Sequence, residues 1–197
     1  MPLSVEPAIP TEQERSLREL ALMLGNPNGF RLALATFSDL KLRASLIHRL
    51  TELLDQKGVV LSQLELTAGD PNASLLRCLQ EHLKKLPISP DQRRAVSVMG
   101  LENLIALRRE AGGVPAEGTG FLEEANFHRD AFAQACPMPL LLWLTPADTT
   151  AFAQTATDLW HWRSATFDFT SDSGDSIGMI ESSTGRYLSL QASTSPE

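Results

Sequence analysis

Residues 30–66 read FRLALATFSDLKLRASLIHRLTELLDQKGVVLSQLEL, and this stretch decides the fold. Phe30 to Phe37 is an apolar run of strand length. Ser38 and Asp39 can accept from the open N–H groups of a helix start. Leu42, Leu46, Leu50 and Leu53 or Leu54 then recur at helical spacing to about Lys57. Gly58 stops that helix, and Val59 to Leu66 resumes as a strand. A strand, a helix and a second strand imply parallel pairing through a right-handed crossover, because a hairpin cannot join parallel neighbours.

The pattern extends both ways. Residues 1–10 are a Pro-containing lead-in. Thr11 to Leu24 reads as an amphipathic helix, with Leu17, Leu20, Ala21 and Leu24 on one face and Thr11 and Glu14 at capping-box spacing. Gly25-Asn26-Pro27-Asn28-Gly29 separates it from the first strand. Downstream, Asp70-Pro71-Asn72 opens a helix striped by Leu75, Leu76, Leu79 and Leu83, which ends at Pro87 and Pro90. Arg94 to Leu101 is the third strand. A Gly-rich stretch, Gly112 to Gly120, leads to a helix over Leu122 to Ala135. Leu140 to Leu144 is the continuous apolar run of a strand covered on both faces. Thr149 starts a helix to about Trp160, and Ala165 to Phe169 is the fifth strand. The sum is an α/β domain over residues 11–169, with a doubly wound, mainly parallel five-stranded sheet and helices on both faces. Residues 170–197 form a polar tail with a possible hairpin at Ile177 to Leu190.

Composition narrows the function classes. The formal net charge is -7, and the 17 Lys and Arg are scattered, which argues against a nucleic-acid footprint. The longest apolar stretch, Met138 to Leu144, is too short to cross a bilayer, and the first residues have no signal-peptide pattern. A cytoplasmic protein without a membrane partner is expected. Cys78 and Cys136 read as small hydrophobes on buried helix faces, in keeping with a reducing compartment.

In doubly wound folds ligands sit beyond the carboxyl ends of the strands. A phosphate-cradling loop there needs glycines, a Lys for the β- and γ-phosphates and a hydroxyl for magnesium. Thr36-Phe37-Ser38-Asp39-Leu40-Lys41-Leu42-Arg43-Ala44-Ser45 contains no glycine, and Asp39 puts a carboxylate where an anion would sit. After the third strand only Glu102 is a carboxylate, so neither Walker A nor Walker B is intact. His48, His82, His128 and His161 show no metal-ligand spacing, and no nucleophilic triad is present, so no metal, no catalytic residue and no cofactor is expected. The alternative is an atypical NTP-binding switch, an ATPase or GTPase, with Thr36 to Lys41 around the phosphates, Lys41 as the cation, Glu102 near the metal, and Thr145 or Arg129 as sensors. Trp143, Trp160 and Trp162 are the most unusual feature. Trp160 reads as a plug of the helix-to-strand corner, whereas Trp162 with Arg163 is the candidate anchor for a protein partner.

The segments Leu140-Leu141-Leu142-Trp143-Leu144-Thr145-Pro146 and Asp158-Leu159-Trp160-His161-Trp162-Arg163-Ser164-Ala165-Thr166-Phe167-Asp168-Phe169 carry a resemblance. They resemble a degenerate P-loop-NTPase-like domain, related to STAND and AAA NTPases, near the N-terminus of bacterial multidomain proteins with tetratricopeptide repeats. Gly100-Leu101-Glu102 and Asn126-Phe127-His128-Arg129 are also similar, over roughly Leu17 to Phe169. The resemblance implies a regulatory or assembly module whose partner is another protein or a downstream repeat domain of the same parent chain. It also implies that the chain is an N-terminal piece, since no repeat array follows Phe169. By analogy with P-loop proteins the second strand should be an edge and the first central. The resemblance transfers no catalytic residue, because the glycines and Lys of the phosphate loop do not match.

Overall fold

The structure is a computed structural model that describes residues 9–26, 29–67, 74–87, 92–110 and 120–170. Five strands, β1 (Arg31–Phe37), β2 (Val59–Glu65), β3 (Arg93–Met99), β4 (Pro139–Leu144) and β5 (Arg163–Phe169), form one sheet in the order β2-β3-β4-β1-β5. Every pairing is parallel. β2 is an edge strand, as expected, but the middle strand is β4, and β1, expected to be central, lies between β4 and the edge strand β5. Two helices, α1 (Thr11–Leu24) and α2 (Leu40–Asp55), cover one face. The other carries α3 (Leu75–Lys85), α4 (Leu101–Glu110), α5 (Phe121–Phe127), α6 (Arg129–Ala135), α7 (Pro146–Thr155) and α8 (Thr157–His161).

β4 shows why two layers are needed. All six of its residues are buried, and the two-residue period divides them between the faces. Leu140, Leu142 and Leu144 enter the core beneath α3 to α8, whereas Leu141 and Trp143 enter the core beneath α1 and α2. Trp143 is fully buried, and its indole N–H donates to Ser97 Oγ of β3 at 3.0 Å. Its ring lies 6.4 Å from Phe37 at the end of β1 and 5.8 Å from Phe169 at the end of β5. One side chain therefore ties β4 to three other strands.

The local chemistry revises several boundaries. Glu14 does not close a capping box with Thr11. Pro10 occupies the cap position, and the Glu14 carboxylate is drawn to Arg49 of α2 at 3.0 Å and to Arg18 at 3.2 Å. The Arg49 guanidinium, opposed by burial and aided by Arg18, holds the Glu14 carboxyl below its ordinary value of 4.5. β3 ends at Met99, not Leu101, because Gly100 turns the chain at φ 83° and α4 starts at Leu101. An added Cβ at Gly100 would lie 2.1 Å from the Leu66 carbonyl oxygen, so the turn admits no side chain. The sequence reading missed α4 altogether. The helix expected over Leu122 to Ala135 is broken at His128 into α5 and α6. The one expected from Thr149 starts at Pro146 under a Thr145 cap and breaks at Ala156. α3 starts at Leu75 with Ser74 as its cap. The expected helix opening at residues 70–72, the Gly-rich stretch before Gly120 and the hairpin at 177–190 lie outside the described residues.

Two expectations test this packing. Trp143→Ala should cost about 3–5 kcal/mol by denaturant unfolding, and Trp160→Ala distinctly less, because Trp160 is only half-buried. Gly100→Ala should cost more than the roughly 1 kcal/mol scale of an ordinary Gly/Ala exchange, since it adds a clash to an unfavourable φ.

Candidate functional site at the carboxyl end of the sheet

β1 delivers Thr36 and Phe37 to the carboxyl edge, and Ser38 and Asp39 lead into α2. Asp39 is the cap of that helix. Its Oδ1 accepts the backbone N–H of Lys41 at 2.6 Å and of Leu42 at 3.3 Å. These are the donors that a helix N-terminus would otherwise offer to a phosphate, and the chain's own carboxylate fills them. Lys41 is exposed on the first turn of α2.

Arg43 crosses the space beside this cap. Its guanidinium lies 4.5 Å over the Phe37 ring and donates to Glu102 Oε1 at 2.8 Å. The two side chains are 13% and 20% exposed, so the ion pair is largely sheltered and links α2 to the first turn of α4. Glu102 Oε2 is buried without a hydrogen-bond partner among the described residues. Between β1 and β4 the hydroxyls form a chain. Thr36 and Thr149 meet at 3.2 Å, and Thr149 donates to the Thr145 carbonyl at 2.9 Å. Thr145 accepts the Asp148 N–H and donates to the Asp148 carboxylate at 2.5 Å, which caps α7.

The structure thus brings Thr36, Asp39, Arg43, Glu102 and Thr145 to the strand ends, and it commits Asp39, Arg43, Glu102 and Thr145 to contacts within the chain. Arg129 is spent elsewhere, at 3.3 Å from Asp158, beside Asn126, whose Oδ1 accepts the N–H groups of Asp158 and Leu159 at the start of α8. The Arg43–Glu102 pair, the buried Asp148 and the Trp143–Ser97 bond escaped sequence reasoning. Arg43 and Glu102 are 59 positions apart and Trp143 and Ser97 are 46 apart, so neither pair leaves a local pattern, whereas the Thr145–Asp148 spacing of three is a capping signal that could have been read.

At the Trp-rich corner Trp160 packs half-buried, 6.3 Å from Phe152, and Trp162 is 40% exposed. Arg163 folds back onto this corner. Its guanidinium lies 3.9 Å over the Trp160 ring and donates to the Trp160 carbonyl at 2.7 Å. Trp162 therefore projects while Arg163 braces the corner.

Among the histidines, His82 Nε2 meets Ser62 Oγ of β2 at 2.6 Å. Burial, helped by Lys85, pushes its pKa below the ordinary 6.5. No group of three or more His, Cys, Asp or Glu among the described residues can hold a metal ion, and no described helix is long and apolar enough to cross a membrane. Burial raises the Cys136 thiol to about 12, so it packs as a hydrophobe and not as a nucleophile.

No family model matches the chain, and no curated protein matches it. Among solved structures, that of the Aeropyrum pernix ORC2 protein (ADPNP-ADP complexes) is similar with a TM-score of 0.42 and 12% identity, over 86% of this chain and 50% of that one. The chain spans about half the length of that protein, and a likeness this distant carries no residue role and no ligand across.

Two outcomes follow from these contacts. Asp39→Ala should cost about 1 kcal/mol in denaturant unfolding, whereas Asp39→Asn, which can still cap, should cost much less. His82 is held neutral in the fold, so the unfolded chain binds the extra proton. Its contribution is fully present above pH 6.5 and is lost as pH falls from there through the lower folded-state value. Urea midpoints measured between pH 7.5 and 5.5 should fall less for His82→Asn than for the unaltered chain.

Proposed function

We propose that the chain is a non-catalytic interaction or signalling domain on a degenerate NTPase fold. It serves as a regulatory or assembly module of a larger, STAND-related bacterial multidomain protein in the cytoplasm. The observation that carries this reading is the Asp39 carboxylate on the first N–H groups of α2, the place where a bound phosphate would need them. The absence of glycine between Thr36 and Ser45 and the Arg43–Glu102 pair across the neighbouring strand ends support it. The partner is another protein or a downstream repeat domain of the parent chain. The half-exposed Trp162 is the residue best suited to meet it, with Arg163 holding the corner in shape.

The competing reading, an atypical NTP-binding switch using Lys41, Glu102, Arg129 and Thr145, has one observation in its favour. Glu102 Oε2 lies buried without a partner among the described residues, and a cation would satisfy it.

A melting experiment separates the two. With ATP or GTP and magnesium, the melting temperature should stay constant and no hydrolysis should exceed background. A ligand at 100 times its dissociation constant would add about 2.7 kcal/mol, a shift of several degrees. A rise with nucleotide concentration that Lys41→Ala abolishes would establish the switch instead. Trp162→Ala should leave the melting temperature within a few degrees while weakening co-purification with the remainder of the parent protein.

A further inference from the structure

A groove of about 540 Å³ runs beside the edge strand β2, remote in the sheet order from the Trp162 corner. One wall is the outer face of α2, where Leu40, Ala44, Ile47 and Thr51 follow each other at helical spacing. The opposite wall is Gln63 and Glu65 of β2, with Met99 at the end of β3. Leu40 is 61% exposed at the head of α2, and Met99 is half-buried, so the floor is apolar and open to solvent. β2 pairs only with β3 among the described residues, which leaves its outer backbone edge unmatched alongside the groove.

The charges decide what fits there. Arg43 is engaged by Glu102, and Glu52 is shared between Arg49 at 2.8 Å and His48 at 3.8 Å. Asp55 and Glu65 make no ion pair among the described residues, and both are exposed. The rim is therefore acidic, on a chain whose formal net charge is -7. A second copy would bring identical carboxylates against these and be repelled.

We propose that this groove docks an extended basic segment of a protein partner, which adds a strand to the open edge of β2. Its alternate side chains point into the groove, apolar ones onto Leu40 and Met99 and Lys or Arg onto Asp55 and Glu65. The backbone edge supplies affinity, and the carboxylates supply the sign of charge. This surface is independent of Trp162.

The test is selection of a random dodecapeptide phage library on the immobilised full chain at low salt. Enriched sequences should alternate apolar residues with Lys or Arg. A synthetic peptide of the selected sequence should shift the Met99 methyl resonance and bind at least roughly tenfold more weakly to the Asp55→Lys, Glu65→Lys double variant. Both positions are exposed, and an unchanged melting temperature checks that the variant is folded. Trp162→Ala should bind the same peptide undiminished, so failure of the Trp162 surface and failure of this one are separable. No enrichment, enrichment of acidic or neutral sequences, or full affinity for the double variant would overturn the proposal.

Discussion

The Trp143 indole is the contact on which the sheet most depends. It stands on β4, donates to Ser97 on β3, and packs against Phe37 and Phe169 at the ends of β1 and β5. A fully buried serine hydroxyl is costly without a partner, and a buried indole N–H equally so. Each satisfies the other, and the large ring fills the layer beneath α1 and α2. Ring packing and one hydrogen bond thus set where the strand ends stand, and the strand ends in turn set where any ligand chemistry could occur.

At those ends the chain turns its polar groups inward. Asp39 occupies the N–H groups of α2, Arg43 lies between Phe37 and Glu102, and Thr145 closes on Asp148. An anion entering here would meet a carboxylate at the cap and a cation already paired. The architecture of a ligand-binding α/β fold is kept while the electrostatics of its usual binding point are consumed internally. In the reading proposed above, recognition falls to surfaces away from that point, the exposed Trp162 and the acidic groove along β2.

The elements whose evidence is local were legible in the sequence. The bounds of α1, the five strands in parallel order, Asp39 at the head of α2 and the doubly covered β4 all follow from apolar periodicity, glycine stops and capping residues within a few positions. The lack of glycine between Thr36 and Ser45 is equally a property of one short segment. What the sequence misread was also local but ambiguous. Glu14 suits a capping box as well as an ion pair, and only the approach of Arg49 from α2 settled its partner. Gly100 looked like a strand residue until the Leu66 carbonyl left no room for a side chain there.

Sequence alone determined the fold class and the absence of a glycine-rich phosphate loop, because both depend on neighbours along the chain. Tertiary structure alone decided that Arg43 pairs with Glu102, that Arg129 serves Asp158, that Arg163 covers Trp160 while Trp162 projects, and that α2 and β2 enclose a groove. Those outcomes depend on which long side chains come within hydrogen-bonding reach once helices pack on the sheet. Arg43 and Glu102, like Arg129 and Asp158, are far apart in sequence and carry no local pattern, and Arg163 and Trp160, though close in sequence, meet only because the chain turns from α8 into β5.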